Sequence, residues 1–188
     1  FFTHILMHEL MHGLGPHNIT VKGKATTPLG ELKEFYSALE EAKADISGLF
    51  AMQYLVDKGV LPKAMEATMY TTFLTSAFRT IRFGINEAHG KGQAMQLNYL
   101  LDQGAFRVAK DGTFSVDAKK VKTAAKTLTK EIMTIQATGD YAKAKDLLTR
   151  LAVIRPDTQK ILEKLKDVPV DIAPRFVTAT QLLKDHAR

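Results

Sequence analysis

Cysteine is missing from this 188-residue chain. That excludes a disulfide framework and leaves His, Asp and Glu as the side chains able to hold a metal. No apolar run approaches the roughly 18 residues a membrane span requires, so no membrane partner is expected. Internal repeats and low-complexity tracts are lacking too, which argues against a solenoid array. The opening residues, FFTHILMHEL, lack an initiator Met and the basic n-region and small-residue cleavage site of a signal peptide. They read as the middle of a helix. The expectation is a single helical metal-binding domain over 1–188, part of a larger protein whose upstream lobe lies elsewhere. Nothing in the composition assigns a compartment.

Acidic residues are the scarcer charge. The formal net charge is +6 and the pI about 9.4. The densest lysine run, DAKKVKTAAKTLTK (117–130), spaces its charges among Ala, Val and Leu and has no aromatic residue for stacking on bases. It reads as a solvated helix face, and no nucleic-acid partner is expected. With 45% hydrophobic and 24% charged residues, the chain has the balance of a globular protein long enough for a sizeable core.

The hydrophobic pattern is mostly helical, so the expected fold is mainly α, a multi-helix arrangement with one small β-hairpin. Helices are expected over 1–14, 30–58, 62–85, the second part of 86–104, 118–136, 140–153 and 157–167, with a polar loop at 17–28 (HNITVKGKATTP). Asp117, Asp140 and Asp157 are candidate N-caps. The strong β signal is AFRVAKDGTFSVD (105–117), two short alternating runs about the turn pair Asp111-Gly112. The tail from Val168 reads as an extended segment and a short helix.

HELMH at 8–12 carries chemistry. At about 100° per residue, His8 and His12 lie about 40° apart, one turn along one helix face, and both imidazoles can reach one ion. Glu9 stands about 100° round from His8, beside such an ion, where a base can touch a water. His4 extends the row one turn back, as a supporting or packing residue.

A catalytic zinc site takes three protein ligands and leaves one position open. The second helix offers the third ligand in ALEEAKADISGLFAMQYLV (38–56). With Ala38 as zero, Ala42, Leu49, Met52 and Val56 fall within about 40°, Glu41 at roughly 60° and Asp45 at roughly 20°, whereas Glu40 points away by about 160°. Carboxylates on a buried face are costly unless paired or metal-bound. Glu41 as third ligand and Asp45 as acceptor of a ligating histidine's ring N–H account for both. Ion pairing of Glu41 and Asp45 with Lys43, Lys33 or a remote arginine is the alternative.

HELMH followed by Glu40, Glu41, Ala44 and Asp45 resembles dipeptidyl peptidase III, a zinc metallopeptidase family with a His-Glu-x-x-(Gly)-His motif and a Glu-Glu-x-x-Ala-Glu/Asp motif. The first motif is here in its five-residue form, with Gly13 after His12. EAHGKGQAMQLNYLLDQGAF (87–106) and ATGDYAKAKDLL (137–148) resemble later family segments. The resemblance implies a helical catalytic lobe. It implies one Zn²⁺ per chain on His8, His12 and Glu41, with Glu40 and Asp45 behind the ligands. It implies Glu9 as the catalytic carboxylate, His89 as a transition-state contact, and Arg175 as a residue that binds substrate. The implied activity is hydrolysis of oligopeptides, releasing dipeptides from their N-termini, with Glu9 assisting attack by a zinc-activated water. Some members of the family are joined to a Nudix domain; no Nudix box occurs here. A zinc-stabilised helical domain without peptidase activity, closed by His4 or His17, and a metal hydrolase of a non-peptide substrate are the alternatives. His17 reads as a surface loop residue, His186 as idle, and Phe73, Phe78 and Met52 as core.

Overall fold

A computed structural model describes residues 1–169 and 175–186. In chain order it contains α1 (Phe2–His12), β1 (Ile19–Val21), β2 (Lys24–Thr26), α2 (Pro28–Leu32), a 3-10 turn (Lys33–Phe35) and α3 (Tyr36–Asp57). A second 3-10 turn (Lys63–Ala67), α4 (Met69–Ile81) and α5 (Ala88–Asp102) follow, then β3 (Phe106–Val108), β4 (Phe114–Val116), α6 (Ala118–Thr138), α7 (Tyr141–Leu151), α8 (Pro156–Lys164) and α9 (Val177–His186). The fold is mainly α, as the periodicity predicts. No helix among the described residues is long and apolar enough to cross a membrane.

Helix α3 is the central strut. It packs against α1, α5 and α6, and its buried residues Leu39, Ala42, Ala44, Ile46, Leu49 and Met52 lie all round it. Around Glu40 and Glu41 the helix is covered on all sides and has no solvent face to give to polar residues, although Tyr54 near its end is exposed. That corrects the expectation for Glu40, which does not point away into water but packs between helices, its side chain 15% exposed. Two glycines set how closely the neighbours approach. A Cβ on Gly48 would lie 3.2 Å from the His8 nitrogen of α1, and one on Gly92 would lie 2.7 Å from the Ala38 carbonyl oxygen. So α1 and α5 press on opposite parts of one helix at backbone distance.

The ends of the elements differ from expectation in several places. The helix expected over 30–58 begins earlier, with Thr27 accepting a hydrogen bond from Gly30 N (3.1 Å) and Pro28 in the first turn. It is interrupted where Lys33 takes φ +52°. The run expected over 62–85 divides into the 3-10 turn and α4 at Thr68. Asp117 and Asp140 cap α6 and α7 as expected. Asp157 does not cap α8: Arg155 holds that place, Pro156 opens the helix, and Asp157 sits in the first turn paired with Lys160 at 2.9 Å.

The expected hairpin is present, pairing Phe106 with Val116 and Val108 with Phe114 around Gly112 at φ +84°. A second small ladder occupies the stretch expected to be loop, pairing Ile19 with Thr26 and Val21 with Lys24. Its two-residue turn, Lys22-Gly23, takes positive φ at both positions, as a type I′ turn needs. Lys-Gly carries no Asn or Asp to announce such a turn.

Because the α3–α5 contact has no room for a methyl group, Gly92→Ala is expected to destabilise the fold by about 1–3 kcal/mol. Gly13→Ala, which meets only an ordinary contact, should stay within about 0.5 kcal/mol. Denaturant midpoints measure both, and equal midpoints would refute the close approach.

Candidate metal centre

Helix α1 carries His8 and His12 one turn apart on the side that meets α3. Their Nε2 atoms lie 3.1 Å apart. From α3, Glu41 Oε2 lies 3.3 Å from His8 Nε2 and 3.7 Å from His12 Nε2. These three side chains form a group that could hold a metal ion. With metal–ligand bonds of about 2.0–2.1 Å, the edge of a tetrahedron is about 3.3 Å, which is the spacing these atoms already have.

The other ring nitrogens explain why the three atoms face one another. His8 Nδ1 lies 2.7 Å from Asp45 Oδ1, and His12 Nδ1 lies 2.9 Å from Glu40 Oε1. A carboxylate can only accept, so each Nδ1 carries a proton, and in the neutral ring Nε2 turns a lone pair toward the centre. Glu41 Oε2 is buried and makes no well-aligned hydrogen bond, with the His8 and His89 ring nitrogens 3.3 and 3.2 Å away. With both rings neutral, three electron-rich atoms would converge with nothing positive between them, which is costly unless a proton or a metal cation joins them. The donor set and the orphaned oxygen both fit a metal.

The titration behaviour agrees. Burial lowers the pKa of His8, but the hydrogen bonds and charges of Asp45 and Glu41 outweigh it and push it up to about 10. A metal-free centre therefore holds a second proton on His8, in the metal's place. Glu41 is held below the usual carboxylate range, first by the His8 hydrogen bond and against the effect of burial. Burial raises Glu40, yet Lys43, His12 and Gln136 together bring it below its ordinary value.

The rear of the centre holds Lys43 and two glutamines, of which sequence reasoning passed over the glutamines. Lys43 is 1% exposed; its Nζ lies 2.7 Å from Glu40 Oε1 and donates to the Leu14 carbonyl at 2.8 Å. Gln136 Nε2, from α6, donates to Glu40 Oε2 at 2.8 Å. Gln96 Nε2, from α5, donates to Asp45 Oδ2 at 3.3 Å. The sequence offered Lys43 as a partner for Glu41 or Asp45; it pairs instead with Glu40, three residues back on the helix. No spacing rule points to Gln136 or Gln96, which arrive from other helices.

The front is open. Glu9 is exposed, pairs with none of the described residues, and lines a hollow of about 200 Å³ with His8, His89, Arg79 and Gln93. His89 enters from the first turn of α5, its side chain 60% exposed, with Nε2 3.2 Å from Glu41 Oε2. Its ring lies nearly parallel to that of His8, centroids 6.4 Å apart. His4 stands back, its Nε2 3.0 Å from the Asp45 carbonyl oxygen and its ring edge-on to Phe73. His17 and His186 are exposed.

Arg175 is not brought to the centre. It lines an exposed hollow with Phe176, Val177, Thr180, Gln181 and Lys184, none of which belongs to the cluster. A roomier hollow, about 550 Å³ between the β3–β4 turn and α8, shares no residue with the centre either.

No family model matches the chain. Over its whole length it is similar to the solved structure of dipeptidyl-peptidase III from Corallococcus sp. strain EGB, at 62% identity and a TM-score of 0.92; the match takes in 35% of that chain. The structure of DPP III from Caldithrix abyssi matches 97% of this chain at 45% identity and a TM-score of 0.92, again over 35% of its own length. Among curated proteins, Nudix hydrolase 3 of Arabidopsis thaliana is 50% identical over 186 residues, which is 97% of this chain and 24% of that protein. The chain thus spans about a third of the solved structures and about a quarter of the curated relative, most of which lies outside the match. The fold and the convergent histidines and carboxylate define a mainly helical lobe with a candidate metal centre. The likeness to dipeptidyl-peptidase III that its two motifs lead one to expect is borne out along nearly the whole of this chain.

Replacing Glu41 by Ala is expected to abolish stoichiometric metal binding, and Asp45→Ala to weaken it about 10–100-fold, as read by elemental analysis and competition titration. Binding indifferent to both would mean that the motifs do not share one ion. A raised histidine pKa stabilises the fold fully below about 6.5 and ceases to do so as pH climbs to about 10. Metal-stripped protein should lose thermal stability across that window, while metal uptake strengthens as the competing proton leaves. Melting temperatures independent of pH there would exclude a proton in the metal's place.

Proposed function

We propose that this chain carries the zinc centre of a peptidase that hydrolyses oligopeptides. The observation that supports it most directly is the convergence of His8 Nε2, His12 Nε2 and the buried Glu41 Oε2, with an unpaired carboxylate, Glu9, on the open side. Zinc held by His8, His12 and Glu41 would supply a Lewis acid that polarises a peptide carbonyl and acidifies water.

The protein's own groups do the rest. Glu9 takes a proton from the attacking water and delivers it to the departing amine. Its freedom from any ion pair suits that role, since a paired carboxylate is a poorer base. His89, held at the mouth of the centre, donates from Nε2 to the oxygen that gains charge. Asp45 and Glu40 keep the two ligating rings in the tautomer that leaves Nε2 free. The exposed mouth favours a catalytic site over a closed structural one. His4 is engaged with Asp45 and His17 is exposed, so neither stands where a closing ligand would.

The relatives are named dipeptidyl-peptidases. The proposal extends that specificity, release of dipeptides from peptide N-termini, to the full-length protein of which this chain is a part.

Full-length protein loaded with zinc is therefore expected to shorten synthetic oligopeptides by two residues at a time, as mass spectrometry would record. Glu9→Gln should retain its zinc and lose about 10²–10⁴-fold in kcat. Stoichiometric zinc without peptide cleavage would overturn the proposal. It would leave either a zinc-stabilised helical domain or a hydrolase of another substrate.

A further inference from the structure

The groove beside the centre has a charged wall that the catalytic steps do not use. The 200 Å³ hollow next to His8 and Glu9 and a second one of about 410 Å³ share Arg79, Thr80 and His89. They form one continuous groove from the metal ligands, along the last turn of α4, to Phe83 and Glu87. Arg79 lies in the middle. Its guanidinium sits 5.6 Å from the centroid of the Phe83 ring, which is 48% exposed. No carboxylate of the described residues pairs with it. A guanidinium placed over an aromatic face can still offer its edge donors to a carboxylate in a two-pronged bond.

The acids nearby are otherwise engaged. Glu87 accepts from the backbone nitrogens of His89 (2.8 Å) and Gly90 at the start of α5. Asp45 is bonded to His8 and Gln96. Glu9 alone is free, at the end of the groove nearest the ligands. Arg79 therefore stands in the groove with no carboxylate bonded to it and its donors open to a ligand, while Glu87 keeps its own charge at the outer end, held to the start of α5.

The floor supplies a second, independent observation. Gln93 lines the inner hollow and is 4% exposed, yet its Nε2 is buried without a hydrogen-bond partner. Buried amides are ordinarily satisfied, and one left unpaired at the wall of a cavity marks a place where a ligand's polar group would bond.

We infer that this groove is a subsite for a carboxylate carried by the peptide substrate, with Arg79 as its charged anchor and Gln93 bonding the adjoining peptide group. The carboxylate comes from one of two sources, the free C-terminus of a short peptide or an Asp or Glu side chain. This assignment rests on the peptidase reading above.

The test uses full-length, zinc-loaded protein with matched peptides. One pair differs in a C-terminal free acid against amide, the other in an internal Glu against Gln. Wild type should favour the carboxylate member of one pair by about tenfold or more in kcat/KM, through KM, and that pair identifies the source. Arg79→Gln, at an exposed position, should bring the carboxylate peptide down to its neutral twin and leave the twin and the zinc content unchanged. Gln93→Leu, checked for an unchanged melting temperature, should raise KM for both members alike. No preference in wild type, or an equal loss on both members in Arg79→Gln, overturns the anchor; unaltered KM in Gln93→Leu overturns its role. Should no peptide be cleaved, the peptidase reading falls, and calorimetry with the same pairs decides the subsite. Tighter binding of the acid, lost in Arg79→Gln, sustains it; equal binding ends it.

Discussion

Two hydrogen bonds, His8 to Asp45 and His12 to Glu40, tie α1 to α3, and the centre depends on them. Each joins a ring nitrogen to an oxygen across the interface of two helices that share a glycine-thin contact at Gly48. An imidazole free to rotate would present either nitrogen, and a lone pair aimed at a metal would be one orientation among several. Anchored at Nδ1, each ring has one way to point. The cost is three acceptors pressed together. That arrangement holds only because α3 is embedded in α1, α5 and α6 and cannot tilt away.

The same embedding explains the residues behind the ligands. Glu40 sits where a buried carboxylate would be costly alone, and it is met by three donors from three directions: His12 from α1, Lys43 from its own helix and Gln136 from α6. Asp45 is met by His8 and by Gln96 from α5. The core helices are therefore bound to the centre by polar bonds as well as by apolar packing, and a shift of α6 or α5 would reach the ligands through one carboxylate.

Much of this was legible in the sequence, and the part that was not has a common cause. The spacing of His8, Glu9 and His12 is local, as is that of Glu40, Glu41 and Asp45, and helical geometry turns each into a facing set without knowledge of the fold. The Asp45 relay follows from asking who satisfies a carboxylate on an apolar arc. The wheel failed for Glu40 because it supposes one dry face and one wet face, and α3 is covered on both at that level. Lys43 entered only as an alternative partner for Glu41 or Asp45, and the structure pairs it with Glu40. Gln96, Gln136, Gln93 and Arg79 come from helices distant in sequence, and no period links them to HELMH. The β1–β2 ladder was hidden by a turn of Lys and Gly and by strands of three residues.

Charge explains why the centre suits one kind of cation. Bonded into it are Glu40, Glu41 and Asp45, each a carboxylate, and one ammonium, Lys43. With both histidines neutral, two negative charges are left in a region where His8 is only 9% exposed. A proton on His8 compensates one of them. A divalent ion would compensate both at the point where His8 Nε2, His12 Nε2 and Glu41 Oε2 meet. Lys43 is decisive in this count. Held by Glu40 and by the Leu14 carbonyl, it cannot swing to the front and neutralise Glu41. It removes the surplus charge behind His12 and leaves the deficit at the ligands, where only a charge brought from outside the chain can meet it.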